Sequence, residues 1–345
     1  MSLLAGLCSF VILQAPLAWY LDGKSPGRRD PEYARRVILC RARLAEHPHR
    51  PLVAVLGNSR TAMAVCPAVW ETDLLQTNDQ APLLFNFGLV GAGPLLQQLT
   101  AQRLLNDGIQ PAMVLWEYWP PFLHYDEQWN DWQRLNQDRL SPRDLPWLEA
   151  HCPPEAKDAL RHRIWTQHLL PCWGSRHRLL LQLVPEWLPR SRRIDWTWSS
   201  IDPWGWHPPL DSQVLGSAGR LRLTEHCQAI YQPLLARYSP AEAAEICLQR
   251  GIRLLQAAGV KVVLLYLPES PRFRSWYPEP VQQYIEQQRQ RLTQQLGVPW
   301  LDARSWMVEE DFVDGFHLSR QGAVGFTRRL ARLLVAEYRA YWHAR

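Results

Sequence analysis

The chain has no Cys-x-x-Cys pair, no Gly-x-x-x-x-Gly-Lys loop, no His-Glu-x-x-His helix and no Gly-x-Ser-x-Gly elbow. Those absences set aside the usual zinc frameworks, the nucleotide P-loop, the zinc proteases and the α/β-hydrolase nucleophile turn. Gly91-Ala92-Gly93 lacks the third glycine of a dinucleotide loop, and no cofactor is expected. The basic residues, 38 against 33 acidic for a net charge of +5, are dispersed and form no single block. Nucleic acid is therefore not an expected partner; a basic face suits an anionic membrane or polysaccharide better. His47-Pro48-His49 reads as a solvated loop, and no metal site is expected. Seven cysteines stand far apart, at 8, 40, 66, 152, 172, 227 and 247. Cys8 lies in an apolar segment. The other six are either unpaired core thiols or form one or two disulfides. No internal repeat is evident.

At 345 residues, with 47% apolar and 21% charged residues, the composition is that of a globular protein of one large or two smaller domains. Residues 1–22 are an apolar leader. Residues 2–21 carry no formal charge and are long enough to span a bilayer, with Pro16 inside and Trp19-Tyr20 suited to an interface. A signal peptide or membrane anchor is expected, with a buried or peripheral helix as the alternative. An extracytoplasmic or membrane-anchored location follows, but the charge flanks conflict with it. No basic residue precedes the run, whereas Lys24, Arg28, Arg29, Arg35 and Arg36 follow it. The positive-inside rule would keep the following domain in the cytoplasm unless a basic stretch came first, so orientation stays open.

Residues 23–51 read as linker and lead-in. From Leu52 apolar strands alternate with amphipathic helices, the pattern of an α/β fold with about five parallel strands. The strands are expected at 52–56, 83–87, 112–116, 261–267 and 298–301, the third closing at Glu117. Pro94 opens one helix, residues 241–258 and 281–296 form two more, and Ser319 caps the last. Residues 119–239 interrupt this rhythm. Prolines multiply, and twelve of the eighteen tryptophans fall between Trp116 and Trp206. The segment reads as an insertion, or cap, between the third and fourth strands. Within it, Arg176 to Arg193 joins Leu179, Leu180, Leu181, Leu183 and Val184 to five arginines. An amphipathic helix is expected there, with a membrane-surface segment as the alternative.

Two short motifs carry the chemistry. Gly57-Asn58-Ser59-Arg60 follows the first strand, which puts Ser59 in the turn at a strand's carboxyl end, where doubly wound folds place their sites. Asp314-Gly315-Phe316-His317 sets a carboxylate three residues before a histidine. A serine hydroxyl needs a base to attack a carbonyl, and the base needs an orienter, so Ser59, His317 and Asp314 are the candidate nucleophile, base and orienter. The alternatives are structural: a capping serine, a loop histidine and a turn-forming aspartate.

With Asn86-Phe87-Gly88 between them, and Leu318, Gly322 and Phe326 behind, these motifs resemble in order and placement the SGNH (GDSL-like) hydrolase and acyltransferase family. The resemblance covers residues 52–117 and 241–338, and implies a three-layer flavodoxin-like sheet built from 52–118 with 240–345. It implies catalysis by Ser59, Asp314 and His317. The N–H groups of Ser59 and Gly88 would form part of an oxyanion hole; Gly88 would otherwise serve a positive φ angle. The family's third block completes the hole with an asparagine, where this chain reads Trp116-Glu117-Tyr118-Trp119. An ionised Glu117 cannot donate a hydrogen bond. Asn86 is the candidate substitute donor, and Glu117 is expected either near the hole or paired with Arg60.

Trp196-Thr197-Trp198 and Trp204-Gly205-Trp206 would each put two rings on one face of an extended segment, suited to stacking on a sugar. The alternative is that these rings form the insertion's own core. The expected activity is a serine esterase acting on an acylated carbohydrate, a cell-envelope polymer or a small ester. An O-acyltransferase on the same triad is the first alternative, and a non-catalytic glycan-binding or envelope-assembly module the second.

Overall fold

The computed structural model describes residues 2–74, 81–125, 131–135, 137–151, 157–209 and 212–343. Trp129 and Cys152 lie outside these residues. The chain divides into two compact units, residues 1–35 with 136–200, and residues 36–135 with 201–345. Along it run α1 (Ser2–Trp19), α2 (Pro31–Glu46), β1 (Leu52–Leu56), α3 (Ser59–Ala64), α4 (Pro67–Leu74), β2 (Leu83–Asn86), α5 (Pro94–Asn106) and β3 (Met113–Glu117). There follow α6 (Lys157–Leu169), α7 (Pro171–Gly174), α8 (Arg176–Leu183), α9 (Ser212–Ala236), α10 (Glu242–Ala257), β4 (Lys261–Tyr266), α11 (Glu279–Leu296), β5 (Trp300–Asp302) and α12 (Arg320–Glu337). Short helical turns connect several of them.

The larger unit is α/β. Its five strands pair in parallel in the order β2-β1-β3-β4-β5. β1, β2 and β3 are buried along their whole length, as a parallel sheet covered on both faces requires. The pleat sends alternate residues to opposite faces. Val53, Val55, Met113, Leu115, Val263 and Leu265 pack with Ala64, Trp70, Phe326, Leu330 and Leu334, which come from α3, α4 and α12. Elsewhere α5 packs against β1 and α10 against β4, and the two helices contact each other closely. Gly251 of α10 admits the Trp116 ring, since a Cβ there would come within 2.3 Å of it. In this strand order the chain's direction reverses between β1 and β3, whose carboxyl ends form the crevice where such sheets hold their ligands.

In the smaller unit α1 packs against α6 and α7. Arg139 is buried there against Asp30 and Glu32, at 2.9 and 3.2 Å. Leu4–Lys24 is long and apolar enough to cross a membrane by length and composition.

Two expectations are corrected here. The segment Arg176 to Arg193 is not one helix: α8 stops at Leu183, and Pro185 and Pro189, which cannot sustain helical hydrogen bonding, turn the rest into short 3-10 pieces. Trp196–Ser199 is a helical turn rather than an extended segment, so Trp196 and Trp198 do not share a strand face. Cys8, Cys40, Cys66, Cys172, Cys227 and Cys247 are free thiols.

Candidate active site

The turn after β1 is shaped by contacts too close for side chains. A Cβ on Gly57 would lie 1.9 Å from Thr61 Oγ1 and 2.3 Å from Glu117 Oε2. Asn58 caps α3, its Oδ1 accepting the Arg60 N–H at 2.8 Å. Ser59 is therefore the first residue of α3, with its hydroxyl at the carboxyl edge of the sheet.

The partner turn precedes α12. Gly315 sits at φ 103°, the left-handed region that glycine enters without strain. Asp314 Oδ1 accepts the backbone N–H of His317 at 2.8 Å and of Phe316 at 3.2 Å, closing a small loop that aims the imidazole. Ser319 then caps α12 by accepting the Gly322 N–H.

Across 258 positions of sequence the two turns meet. His317 Nε2 lies 2.8 Å from Ser59 Oγ, and His317 Nδ1 lies 2.7 Å from Asp314 Oδ2. Burial alone would push the Asp314 carboxyl up. The charge of His317, with hydrogen bonds from its ring, its N–H and the Phe316 N–H, outweighs burial and holds it below the ordinary aspartate value. Ser59 and His317 are half-buried. The Phe316 ring lies 4.2 Å from the imidazole and stacks on Trp119.

The expected oxyanion hole is corrected on two points. The Gly88 N–H donates to Asn86 Oδ1 at 2.8 Å, because the Asn86 side chain folds back over its own turn. Asn86 Nδ2 donates to the Thr61 and Val65 carbonyls at 2.8 and 2.7 Å, so Asn86 serves the packing of α3. Gly88 has no positive φ either. Its reason is close approach: a Cβ would fall 2.4 Å from the Ala62 nitrogen. The Ser59 N–H makes no hydrogen bond among the described residues. The Asn58 Nδ2, one residue away, is buried without a partner there.

Glu117 points at the Ser59 turn from below. Its Oε2 accepts the Asn58 N–H at 2.8 Å and the Thr61 hydroxyl at 2.7 Å. Its Oε1 lies 3.5 Å from Arg60 Nη1, so Arg60 and Glu117 form a buried ion pair. Arg60 also donates to the Leu267 and Pro268 carbonyls, sits over the Trp119 ring and lies 3.8 Å from Glu269. Burial pushes the Glu269 carboxyl up, against the pull of Arg60, the Tyr277 hydroxyl, Arg304 and the Trp119 N–H.

The tryptophans divide. Trp206 is buried in the larger unit's core and donates to the Met63 carbonyl, and so is not a free platform. Trp204 is half-buried with the Arg43 guanidinium over its ring. Trp198 is half-buried and Trp196 is exposed.

Sequence reasoning missed Asp202, whose Oδ1 accepts the N–H groups of Trp204 and Trp206 and folds a loop onto α3. An aspartate two residues before Trp204 was the signal for that turn. It also missed Cys227, a buried thiol beside Asp314 that burial and the aspartate's charge push well up. No spacing could have revealed that contact. Among the described residues no group of three or more His, Cys, Asp or Glu side chains could hold a metal ion. No family model matches the chain, and no curated protein matches it.

Proposed function

We propose that the chain is an SGNH-like serine enzyme that cleaves an acyl ester through a covalent intermediate on Ser59. The observation that carries this is the continuous hydrogen-bonded series from Ser59 Oγ through His317 to Asp314. His317 takes the hydroxyl proton as Ser59 attacks the ester carbonyl, and returns it to the departing alcohol. Asp314 fixes the imidazole tautomer and stabilises its charged form. Water, activated by the same imidazole, then attacks the acyl-serine and regenerates the hydroxyl.

The Ser59 N–H is the donor we assign to the oxyanion. With Gly88 and Asn86 engaged elsewhere, the hole lacks two of its three donors, and the loss of a single donor already slows turnover on the order of 100- to 1,000-fold. The fold reading that accompanies this is the three-layer flavodoxin-like form, with the tryptophan-rich segment 119–239 inserted between β3 and β4. The substrate class we propose is an acylated carbohydrate or envelope polymer. The apolar helix α1 is read as a leader or anchor that places the enzyme at or outside a membrane.

The commitment of Gly88 and Asn86 favours one second reading, a non-catalytic glycan-binding or envelope-assembly module. Fluorophosphonate labelling separates the two. The expected result is a single adduct on Ser59 by mass, absent from Ser59→Ala and at least about 100-fold slower in His317→Ala. Absence of the adduct on well-folded protein overturns the enzymatic reading. With the adduct in hand, sugar acceptors tell hydrolysis from O-acyl transfer.

A further inference from the structure

The apolar side chains of α1 are largely uncovered: Leu4, Val11, Ile12 and Leu13 are each more than half exposed. One polar residue interrupts the helix on the side that packs inside its own unit. Gln14 is 3% exposed; its Nε2 donates to the Phe10 carbonyl and its Oε1 accepts the Cys172 N–H, both at 3.0 Å. Cys172 belongs to the short helix α7, so α7 is tied to α1 at the level of Gln14. Trp19, with an exposed ring followed by Tyr20 and Lys24, is of the kind that sits at a membrane–water boundary. Gln14 precedes Trp19 by five residues, about 7.5 Å of helical rise. Wherever α1 enters a bilayer, α7 enters with it, to the depth of about 5–10 Å at which interfacial apolar groups settle.

The surface around α7 suits that depth. Leu169, Trp173, Leu183 and Trp187 are each more than half exposed. Beside them lies an open cavity of about 830 Å³ whose lining includes Arg163, Arg176, Arg192, His162, His177 and Asp138. Asp138 already accepts hydrogen bonds from Arg163 and Gln167, at 3.0 and 2.9 Å. The lining thus carries three arginines against one carboxylate that Arg163 already engages, a balance that favours a phosphate. Arg176 also caps the Trp173 ring at 4.3 Å, joining the charged cavity to the apolar rim.

We propose that residues 169–187 form a wedge that enters one leaflet beside α1, and that the cavity holds the phosphate of an anionic glycerophospholipid. The inference rests on reading α1 as membrane-inserted. The test uses the full chain in nanodiscs of phosphatidylcholine, with or without phosphatidylglycerol. Each disc carries a trace of a lipid with a photoreactive group near the top of its acyl chain, and adducts are mapped by peptide mass spectrometry. Adducts are expected on α1 in both discs, and on residues 169–192 chiefly in the phosphatidylglycerol discs.

Leu169→Asp with Trp173→Asp should remove the second set and leave the first. Arg176→Glu with Arg192→Glu should lower the phosphatidylglycerol-dependent adducts about tenfold. Adducts on α1 without any on residues 169–192 overturn the wedge alone. Equal adducts in the two discs overturn the phosphate site. A chain that never enters the discs overturns both the anchor reading and the wedge. The wild-type comparison stands even where a variant fails to fold.

Discussion

Glu117 receives two hydrogen bonds from the turn that carries Ser59 and faces the Arg60 guanidinium with its other oxygen. It therefore holds the Ser59 turn in place from beneath, and its charge is matched by a buried cation. Removing one member of such a pair leaves the other charge unmatched in the interior, which costs far more than the pair contributes. Glu117→Gln keeps the shape but turns an acceptor into a donor opposite Arg60 or the Asn58 N–H. We expect it to destabilise the protein by about 2–4 kcal/mol, read as a lower urea midpoint at unchanged slope. Fluorophosphonate labelling of Ser59 should slow in the same variant under native conditions. An unchanged midpoint would show that Glu117 does not carry the turn.

Helix α3 is pressed against the turn that follows β2, and the contact is made by Gly88, which lies against the Ala62 backbone. A backbone atom cannot swing aside as a side chain can. Gly88→Ala should therefore cost about 1–3 kcal/mol of stability through overpacking. It should also slow Ser59 labelling, because α3 begins at Ser59. A variant with wild-type midpoint and labelling rate would show that the turn gives way without strain.

The elements on either side of this contact were legible for a simple reason: each is a short apolar run bounded by turn residues. β1 was read at its observed limits, while β2, β3 and β4 differ by one residue at their ends. β5 starts two residues later than expected and ends one later, since Pro299 contributes no ladder donor and pairing starts at Trp300. The Ser59, Asp314 and His317 positions were legible because turn chemistry is local. The engagement of Gly88 by Asn86, the support from Glu117 and the loop folded by Asp202 were not, because each depends on which side chains tertiary packing brings together. The same holds for Gln14 and Cys172, 158 positions apart.

At the scale of the whole molecule, the site exists only when the sheet of the larger unit is assembled, since its members lie 258 positions apart. Four buried thiols are spread through that unit: Cys40 on α2, Cys66 between α3 and α4, Cys227 on α9 and Cys247 on α10. Burial pushes Cys40 and Cys247 up to about 12 and, together with the charge of Asp202, Cys66 up to about 11. A thiol so shifted carries almost no thiolate near neutral pH, and its sulfur is closed to reagents besides. All four should stay unmodified by maleimide in native buffer. A single core that opens as one cooperative body should expose them over one range of urea, and Ser59 labelling should vanish over that same range. Mass spectrometry of each cysteine peptide against urea makes the comparison directly. If Cys66 reacts first, together with loss of Ser59 labelling, then α3 and the nucleophile turn open ahead of the sheet. If Cys40 or Cys247 reacts first while labelling persists, the opening lies away from the site, and the two turns that hold Ser59 and His317 belong to the most stable part of the unit.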